Sequence, residues 1–108
     1  MSKGFLGVFE QMVLLGILRQ GENAFGLEVR REIESSTGRK VSRSAFYTTL
    51  DRLEAKGFVK WTSMVSDSPR RIAPIRLFSV TKKGLVALRD SRGALEALWR
   101  GMDEVVEG

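Results

Sequence analysis

The chain of 108 residues has 43% hydrophobic and 29% charged side chains and a formal net charge of +5, which suits one small domain that folds in water. It contains no cysteine and no histidine, which excludes disulfides, thiolate nucleophiles, zinc-finger sites and imidazole bases. No apolar run approaches the ~20 residues that cross a bilayer, and no secretory signal is evident. We therefore expect a cytoplasmic protein with no membrane partner, no metal site and no cofactor.

The first two predicted elements are helices. Apolar residues recur at helical spacing over about residues 6–19 and again over about 25–36, with Asn23 as a candidate N-cap of the second helix. The outward side of that helix carries Glu28, Arg31, Glu32 and Glu34. We interpret this side as an ordinary solvated face with ion pairs between neighbouring turns.

A third helix is predicted over about residues 42–56, in the stretch "SRSAFYTTLDRLEAKG". Ser42 suits its N-cap, and Phe46, Leu50 and Leu53 recur at the spacing of a core-facing stripe. Its other side carries Arg43, Ser44, Tyr47, Thr48, Asp51 and Arg52. A core-forming helix with such an outward face suggests a surface that binds something.

A two-stranded hairpin is predicted over about residues 58–80. The segments "FVKWTSMV" and "IAPIRLFSV" are rich in β-branched and aromatic residues, and the turn-forming stretch "SDSPRR" separates them. Pro74 lacks a backbone donor, so its strand should be an edge or begin after it. Arg70 and Arg71 lie at the predicted tip.

Thr81 suits the cap of a last helix, predicted to run to the C-terminus over residues 81–108. Its stripe is spaced alternately by three and four residues, as in a coiled-coil seam, and is apolar except for Arg92: Leu85, Leu88, Arg92, Leu95, Trp99, Met102 and Val106. About 25 residues of such a helix would reach about 37 Å, more than the rest of the domain can cover. We therefore expect it to pair with a second copy, the alternative being that it folds back on its own domain.

The basic residues are concentrated in the middle of the chain. Residues 39–83 contain 11 Lys or Arg against 3 acidic residues, a net +8, whereas the two flanking segments are slightly acidic. A localised positive block suits a polyanion-binding face, because each neutralised phosphate releases counterions. A solvated basic surface is the alternative that charge alone leaves open.

The order of elements predicts a mainly α fold with a small β-hairpin, a winged helix-turn-helix. Residues 1–80 would form a DNA-binding domain whose third helix enters the major groove, with 81–108 as a dimerisation helix. Phosphate contact is the more common role for each polar residue of the third helix, although Arg43 suits guanine as well. Arg70 and Arg71 suit a narrow minor groove, the alternative being a hydrated loop.

The residues resemble the PadR-like family of transcriptional regulators over nearly the whole chain. The resemblance rests on "VLLGILRQGENAFGLEVRREIESSTGRKVSRSAFYTTLDRLEAKGFVKW" and "RLFSVTKKGLVALR". It implies a dimeric winged-helix DNA-binding protein of the family's short branch, usually a repressor released by a small molecule or another signal. The wing departs from many relatives, since it has no glycine and has Leu77 and Phe78 where they have two tyrosines.

The resemblance, together with the face of the third helix, assigns the candidate site residues. Double-stranded DNA would be contacted by Ser42, Arg43, Ser44, Tyr47, Thr48, Arg52, Arg70, Arg71 and Arg76. The homodimer interface would contain Leu88, Leu95, Trp99, Met102 and Val106. The end "ALWRGMDEVVEG" also resembles multidrug-binding relatives in which a tryptophan of each subunit stacks on flat ligands. Trp99 is therefore a candidate contact of a small aromatic effector, the alternative being that it packs the dimer core.

Two other classes of function compete with that of a dimeric DNA-binding protein. A winged helix that binds an acidic protein partner is the main alternative to DNA binding, and it would show no preference for a DNA sequence. A dimeric DNA reader should instead prefer an inverted repeat whose half-sites lie about 10 to 10.5 base pairs apart. An enzyme is not expected, because the sequence has no phosphate-cradling glycine loop, nucleophile elbow or metal-ligand cluster.

Overall fold

The computed structural model describes residues 4–64 and 75–108. Its helices and strands are α1 (Val8–Gln20), a 3-10 turn (Gly21–Asn23), α2 (Gly26–Thr37), α3 (Arg43–Ala55), β1 (Val59–Met64), β2 (Ile75–Val80), α4 (Lys82–Trp99) and α5 (Asp103–Glu107). The predicted winged helix with a C-terminal helix is confirmed, and the first three helices lie within two residues of their predicted bounds. Over the residues described, no helix is long and apolar enough to cross a membrane.

The core forms where α1, α2 and α3 meet. Its largest fully buried side chains include Leu14 and Ile17 of α1 and Phe46 and Leu50 of α3. A Cβ placed on Gly16 would lie 3.1 Å from both Val29 and Ile33 of α2, so the glycine allows a close approach of the first two helices. The apolar stripe predicted for α3 is buried, and this fixes which of its side chains face outward.

The strands form an antiparallel hairpin in which Val59 pairs with Val80 and Met64 pairs with Ile75. The segment before α2 adds to it, because the backbone N–H of Phe78 donates to the Ala24 carbonyl at 3.0 Å. The predicted N-cap at Asn23 is wrong. Asn23 ends the 3-10 turn, and extended Phe25 is the N-cap of α2 instead. Pairing of this segment with the hairpin thus sets where α2 begins. Pro74 lies outside the described residues, and β2 begins directly after it.

The start of α4 is anchored to the end of α3. The Thr81 hydroxyl accepts the Gly84 N–H at 3.1 Å and donates to the Gly57 carbonyl at 2.6 Å. A Cβ on Gly84 would overlap the carbonyl oxygen of Phe58, so only glycine fits this contact without a shift of the backbone. The predicted cap at Thr81 is therefore confirmed.

The predicted continuous helix from 81 to 108 is interrupted. α4 ends at Trp99, Gly101 takes a left-handed φ of 80°, and the short α5 begins at Asp103. The heptad pattern missed this break because it counts apolar residues and not the C-capping preference of glycine. From residue 92 onward every residue except Ala94 is exposed. The end of the chain thus has little cover from its own domain.

Candidate nucleic-acid interface

The first turn of α3 presents a set of polar side chains. The Ser42 hydroxyl accepts the Ala45 N–H at 3.1 Å, which confirms the predicted cap. Five of the six predicted contact residues on this helix are exposed: Ser42, Arg43, Ser44, Thr48 and Arg52. The sixth, Tyr47, is half-buried. The helix therefore offers two hydroxyls and one guanidinium in its first turn, with further donors one and two turns on.

The entry into α3 is held by α2 through the backbone of Val41. The Val41 N–H donates to a Glu34 carboxylate oxygen at 2.9 Å, and Arg30 Nη2 donates to the Val41 carbonyl at 3.2 Å. Glu34 and Arg30 lie one turn apart on α2, so together they bind both backbone polar groups of Val41. These two hydrogen bonds hold the segment that leads into α3.

The prediction of an ordinary solvated face on α2 is thus wrong for Glu34, and also for Glu32, which pairs with Arg19 of α1. It holds for Glu28 and Arg31, an exposed pair at 3.3 Å. Spacing along one helix cannot show which charged residues meet a neighbouring element.

Tyr47 packs at the junction of α2 and α3. Its ring lies edge-on to Phe46, with centroids 5.3 Å apart at 80°. A Cβ on Gly26 would overlap the Tyr47 hydroxyl, and it would lie 3.2 Å from the ring carbon Cζ. The glycine at the first position of α2 therefore makes room for the tyrosine, which leans on the core instead of projecting fully outward.

Two arginines lie over the Tyr47 ring. The guanidinium carbon of Arg43 is 5.6 Å from the ring centroid, and that of Arg76 on β2 is 5.4 Å from it. Arg76 also lies 5.3 Å from the ring of Trp61 and 5.4 Å from that of Phe78. Tyr47, Trp61, Arg76 and Phe78 together form what we call the arginine–aromatic cluster, within cation–π range throughout.

Sequence reasoning assigned no role to Trp61 or Phe78 in this cluster. Alternation along the strands puts residues 76 and 78 on one face, but only the register, which pairs Phe78 with Trp61, shows that the rings meet. The Trp61 indole N–H also donates to a Glu54 carboxylate oxygen on α3 at 3.1 Å. The base of the hairpin is therefore attached to the third helix by stacking and by a hydrogen bond.

The C-terminal end of α3 is attached to α1. Lys56 Nζ lies 2.9 Å from Glu10 Oε2, and the other Glu10 oxygen accepts the Gly7 N–H at 2.9 Å. Burial alone would raise the pKa of Glu10, but these two hydrogen bonds and the positive charges of Lys56 and Arg52 lower it overall. Lys56 thus serves the fold at the edge of the basic surface.

The predicted wing-tip arginines, Arg70 and Arg71, lie outside the described residues. Among those described, the exposed cations of the middle segment include Arg39 and Lys40 before α3 and Lys60 on β1. Arg39 stacks over Phe9 of α1 at 4.9 Å. These cations of the predicted basic block therefore lie before the start of α3 and on the hairpin.

The predicted dimerisation residues lie along an apolar groove. A cavity of about 340 Å³ between α1 and α4 is lined by Gln11, Leu15, Leu88, Arg89, Arg92, Leu95, Glu96 and Trp99. A more open one of about 230 Å³ is lined by Leu95, Leu98, Trp99, Met102 and Val106. Leu88 is half-buried, whereas Leu95, Trp99, Met102 and Val106 are between 44% and 63% exposed. Arg92, the one charged residue of the predicted seam, pairs with Glu96 at 2.6 Å.

Comparison with known proteins gives a family match and a shared fold. The model of the transcriptional regulator PadR-like family matches residues 14–90. A PadR-like transcriptional regulator from Bacillus cereus superposes with a TM-score of 0.74 at 22% identity, covering 94% of each chain. A PadR-like transcription factor from Bacteroides fragilis gives 0.66 at 24% identity, covering 94% of this chain and 88% of its own. A PadR family transcription regulator from Clostridium difficile superposes with a TM-score of 0.71 at 15% identity, covering 91% of this chain and 98% of its own. No curated protein matches the chain.

Proposed function

The chain belongs to the PadR-like family of transcriptional regulators, and we propose that it is a repressor that binds an inverted-repeat operator as a homodimer. As a member of this family it is a DNA-binding regulator and not an enzyme. The observation that carries the proposal is the exposed, hydroxyl- and arginine-bearing first turn of α3, beside an arginine of the hairpin that lies over the Tyr47 ring. We place its action in the cytoplasm, where the operator would be.

The third helix is proposed to enter the major groove with its N-terminal end toward the bases. Arg43, Ser44 and Thr48 would reach base edges or phosphates, while Ser42 would help to orient the helix on the backbone. Arg52, two turns further along, would contact the phosphate backbone. The wing would lie on the adjacent backbone or minor groove, where Arg70 and Arg71 would meet the negative potential of a narrow groove.

The homodimer is proposed to form through the groove that leaves Leu95, Trp99 and Met102 about half exposed. A contiguous apolar surface of this kind marks an interaction site, and a second copy of the same helix would bury it by symmetry. Pairing would also present two recognition helices at once, so that each half-site raises the effective concentration for the other.

A small planar aromatic effector is proposed to stack on Trp99. Its indole borders the cavity of about 340 Å³ and is 46% exposed. Packing of Trp99 in the dimer core is the alternative use of the same ring. Titration of a planar aromatic cation should quench tryptophan fluorescence in the wild type and not in Trp99→Phe. Trp61 is present in both proteins, so the difference between them reports on Trp99. Equal quenching in the two proteins would reject Trp99 as the contact.

Selection of binding sites from randomised duplexes tests the main proposal. We expect an inverted repeat whose half-sites lie about 10 to 10.5 base pairs apart. Retention without any sequence preference would instead favour a surface for acidic partners. Arg31→Ala is a matched control for variants of α3, because it removes an exposed arginine of α2 that pairs with Glu28 and is not among the proposed contacts. It should retain wild-type affinity for the selected duplex.

A further inference from the structure

Arg76 occupies an unusual place for a cation on a DNA-binding wing. It is half-buried, and its guanidinium lies 5.3 to 5.4 Å from the centroids of three rings. Those rings come from three different elements: Tyr47 from α3, Trp61 from β1 and Phe78 from β2. A single side chain therefore touches the recognition helix and both strands of the hairpin.

We infer that Arg76 is a positioning residue that holds the wing and the recognition helix in one fixed relative orientation, and that it does not act as a phosphate contact. This inference rests on the proposed DNA-binding function. The planar guanidinium can stack on several rings at once, whereas the ammonium of lysine is a compact point charge. Without these contacts the hairpin could tilt relative to α3. DNA binding would then have to order the hairpin, and that entropy cost would lower the affinity for DNA.

Two neighbouring contacts support a positioning role. Phe78 is only 3% exposed, so one wall of the cluster belongs to the core. Trp61 is fixed by its hydrogen bond to Glu54 on α3. Arg76 and Phe78 lie on the same face of β2, and Phe78 pairs with Trp61 across the strands. The side chain that closes the gap between these rings and Tyr47 is Arg76.

The salt dependence of DNA binding separates positioning from phosphate contact. A lost phosphate contact lowers the slope of log affinity against log salt by about one for each protomer, whereas a lost orientation lowers affinity at every salt concentration with the slope kept. For Arg76→Ala we expect roughly tenfold weaker binding to the selected duplex, about 1.4 kcal/mol, with an unchanged slope. Unchanged affinity, or a slope reduced by about one for each protomer, would overturn the inference.

Two further variants sharpen the comparison. Arg76→Lys keeps the charge and should recover less than half of the lost affinity on a logarithmic scale, since it cannot stack on three rings; full recovery would indicate a phosphate contact. Arg31→Ala removes one exposed charge from α2, outside the proposed contacts, and should change affinity by less than roughly threefold. A loss in Arg31→Ala equal to that in Arg76→Ala would show that only the total charge matters.

Fluorescence tests the stack without DNA. In a Trp99→Phe background Trp61 is the only tryptophan, because the chain has two. Arg76→Ala should increase quenching of Trp61 by acrylamide, since the ring loses its cover, and unchanged quenching would contradict the stack. If the wild type selects no duplex, the proposed function fails and the DNA role of Arg76 fails with it, whatever the quenching shows. If the wild type binds its selected duplex and Arg76→Ala binds the duplex with the same affinity, the inference about Arg76 fails and the proposed function stands.

Discussion

Gly26 at the start of α2 should be coupled energetically to Tyr47 on α3. In the structure an added Cβ at this position overlaps the tyrosine hydroxyl and lies 3.2 Å from the ring carbon Cζ. The φ of Gly26 is not among the positive values, so alanine fits the backbone and only the contact opposes it. Gly26→Ala therefore isolates one packing contact between the two helices of the helix-turn-helix.

The expected magnitude follows from two opposing effects. Overfilling a packed junction costs about 1–3 kcal/mol. Replacement of glycine by alanine in a helix recovers up to about 1 kcal/mol. We therefore expect Gly26→Ala to lower the free energy of unfolding by about 1 kcal/mol. Tyr47→Phe removes the overlapping hydroxyl, so in that background Gly26→Ala should be close to neutral or stabilising.

Urea denaturation followed by circular dichroism at 222 nm measures this double-mutant cycle. All four proteins should be compared at one protein concentration, because dimerisation makes apparent stability depend on it. The coupling free energy should be about 1–2 kcal/mol, with Tyr47→Phe relieving the effect of the alanine. The same cost of alanine in both backgrounds, or no cost in either, would refute the reasoning.

Three other results are expected. Arg43→Ala should weaken binding to the selected duplex by about 1–3 kcal/mol without lowering the melting temperature, and wild-type affinity would remove Arg43 from the contact face. Leu95→Glu with Met102→Glu should give a monomer in sedimentation equilibrium and weaker DNA binding, and an unchanged mass would reject the groove as the interface. Because the pKa of Glu10 is lowered on folding, its contribution to stability is complete above its ordinary value of 4.5 and is lost as the pH falls through the lowered value. Glu10→Gln should cost about 0.5 kcal/mol at neutral pH and make unfolding by acid less steep, and urea titrations at several pH values that match the wild type would contradict this.

The sequence predicts the helices well because each carries its own signals. Ser42 and Thr81 are caps at the positions expected, and Phe46 and Leu50 are buried as their spacing indicates. Local capping and periodicity depend on residues within one turn, which a single sequence contains. Gly101 contained such a signal as well, but the apolar heptad that spans it predicted a continuous helix.

The contacts between elements were not predictable in the same way. The Trp61 ring meets Arg76 only because the hairpin register pairs Trp61 with Phe78, and the alternation along each strand does not by itself show that register. Glu34 lies on the same predicted outward face of α2 as Glu28 and Arg31. It nevertheless accepts a hydrogen bond from the Val41 N–H, because the segment after α2 passes beside it. Pattern reasoning thus identified which residues face outward, but it could not identify which outward residues meet another element.

Polar groups hold α3 at three levels, in or beside the basic surface. Arg30 and Glu34 hold its start, Arg76 stacks beside its middle and Lys56 holds its end. An alanine at any of these positions removes charge from the surface and also loosens the helix. For these alanine variants, a loss of DNA affinity is therefore not by itself evidence that the residue contacts DNA. The salt slope distinguishes the two effects, since only a phosphate contact changes the number of ions released.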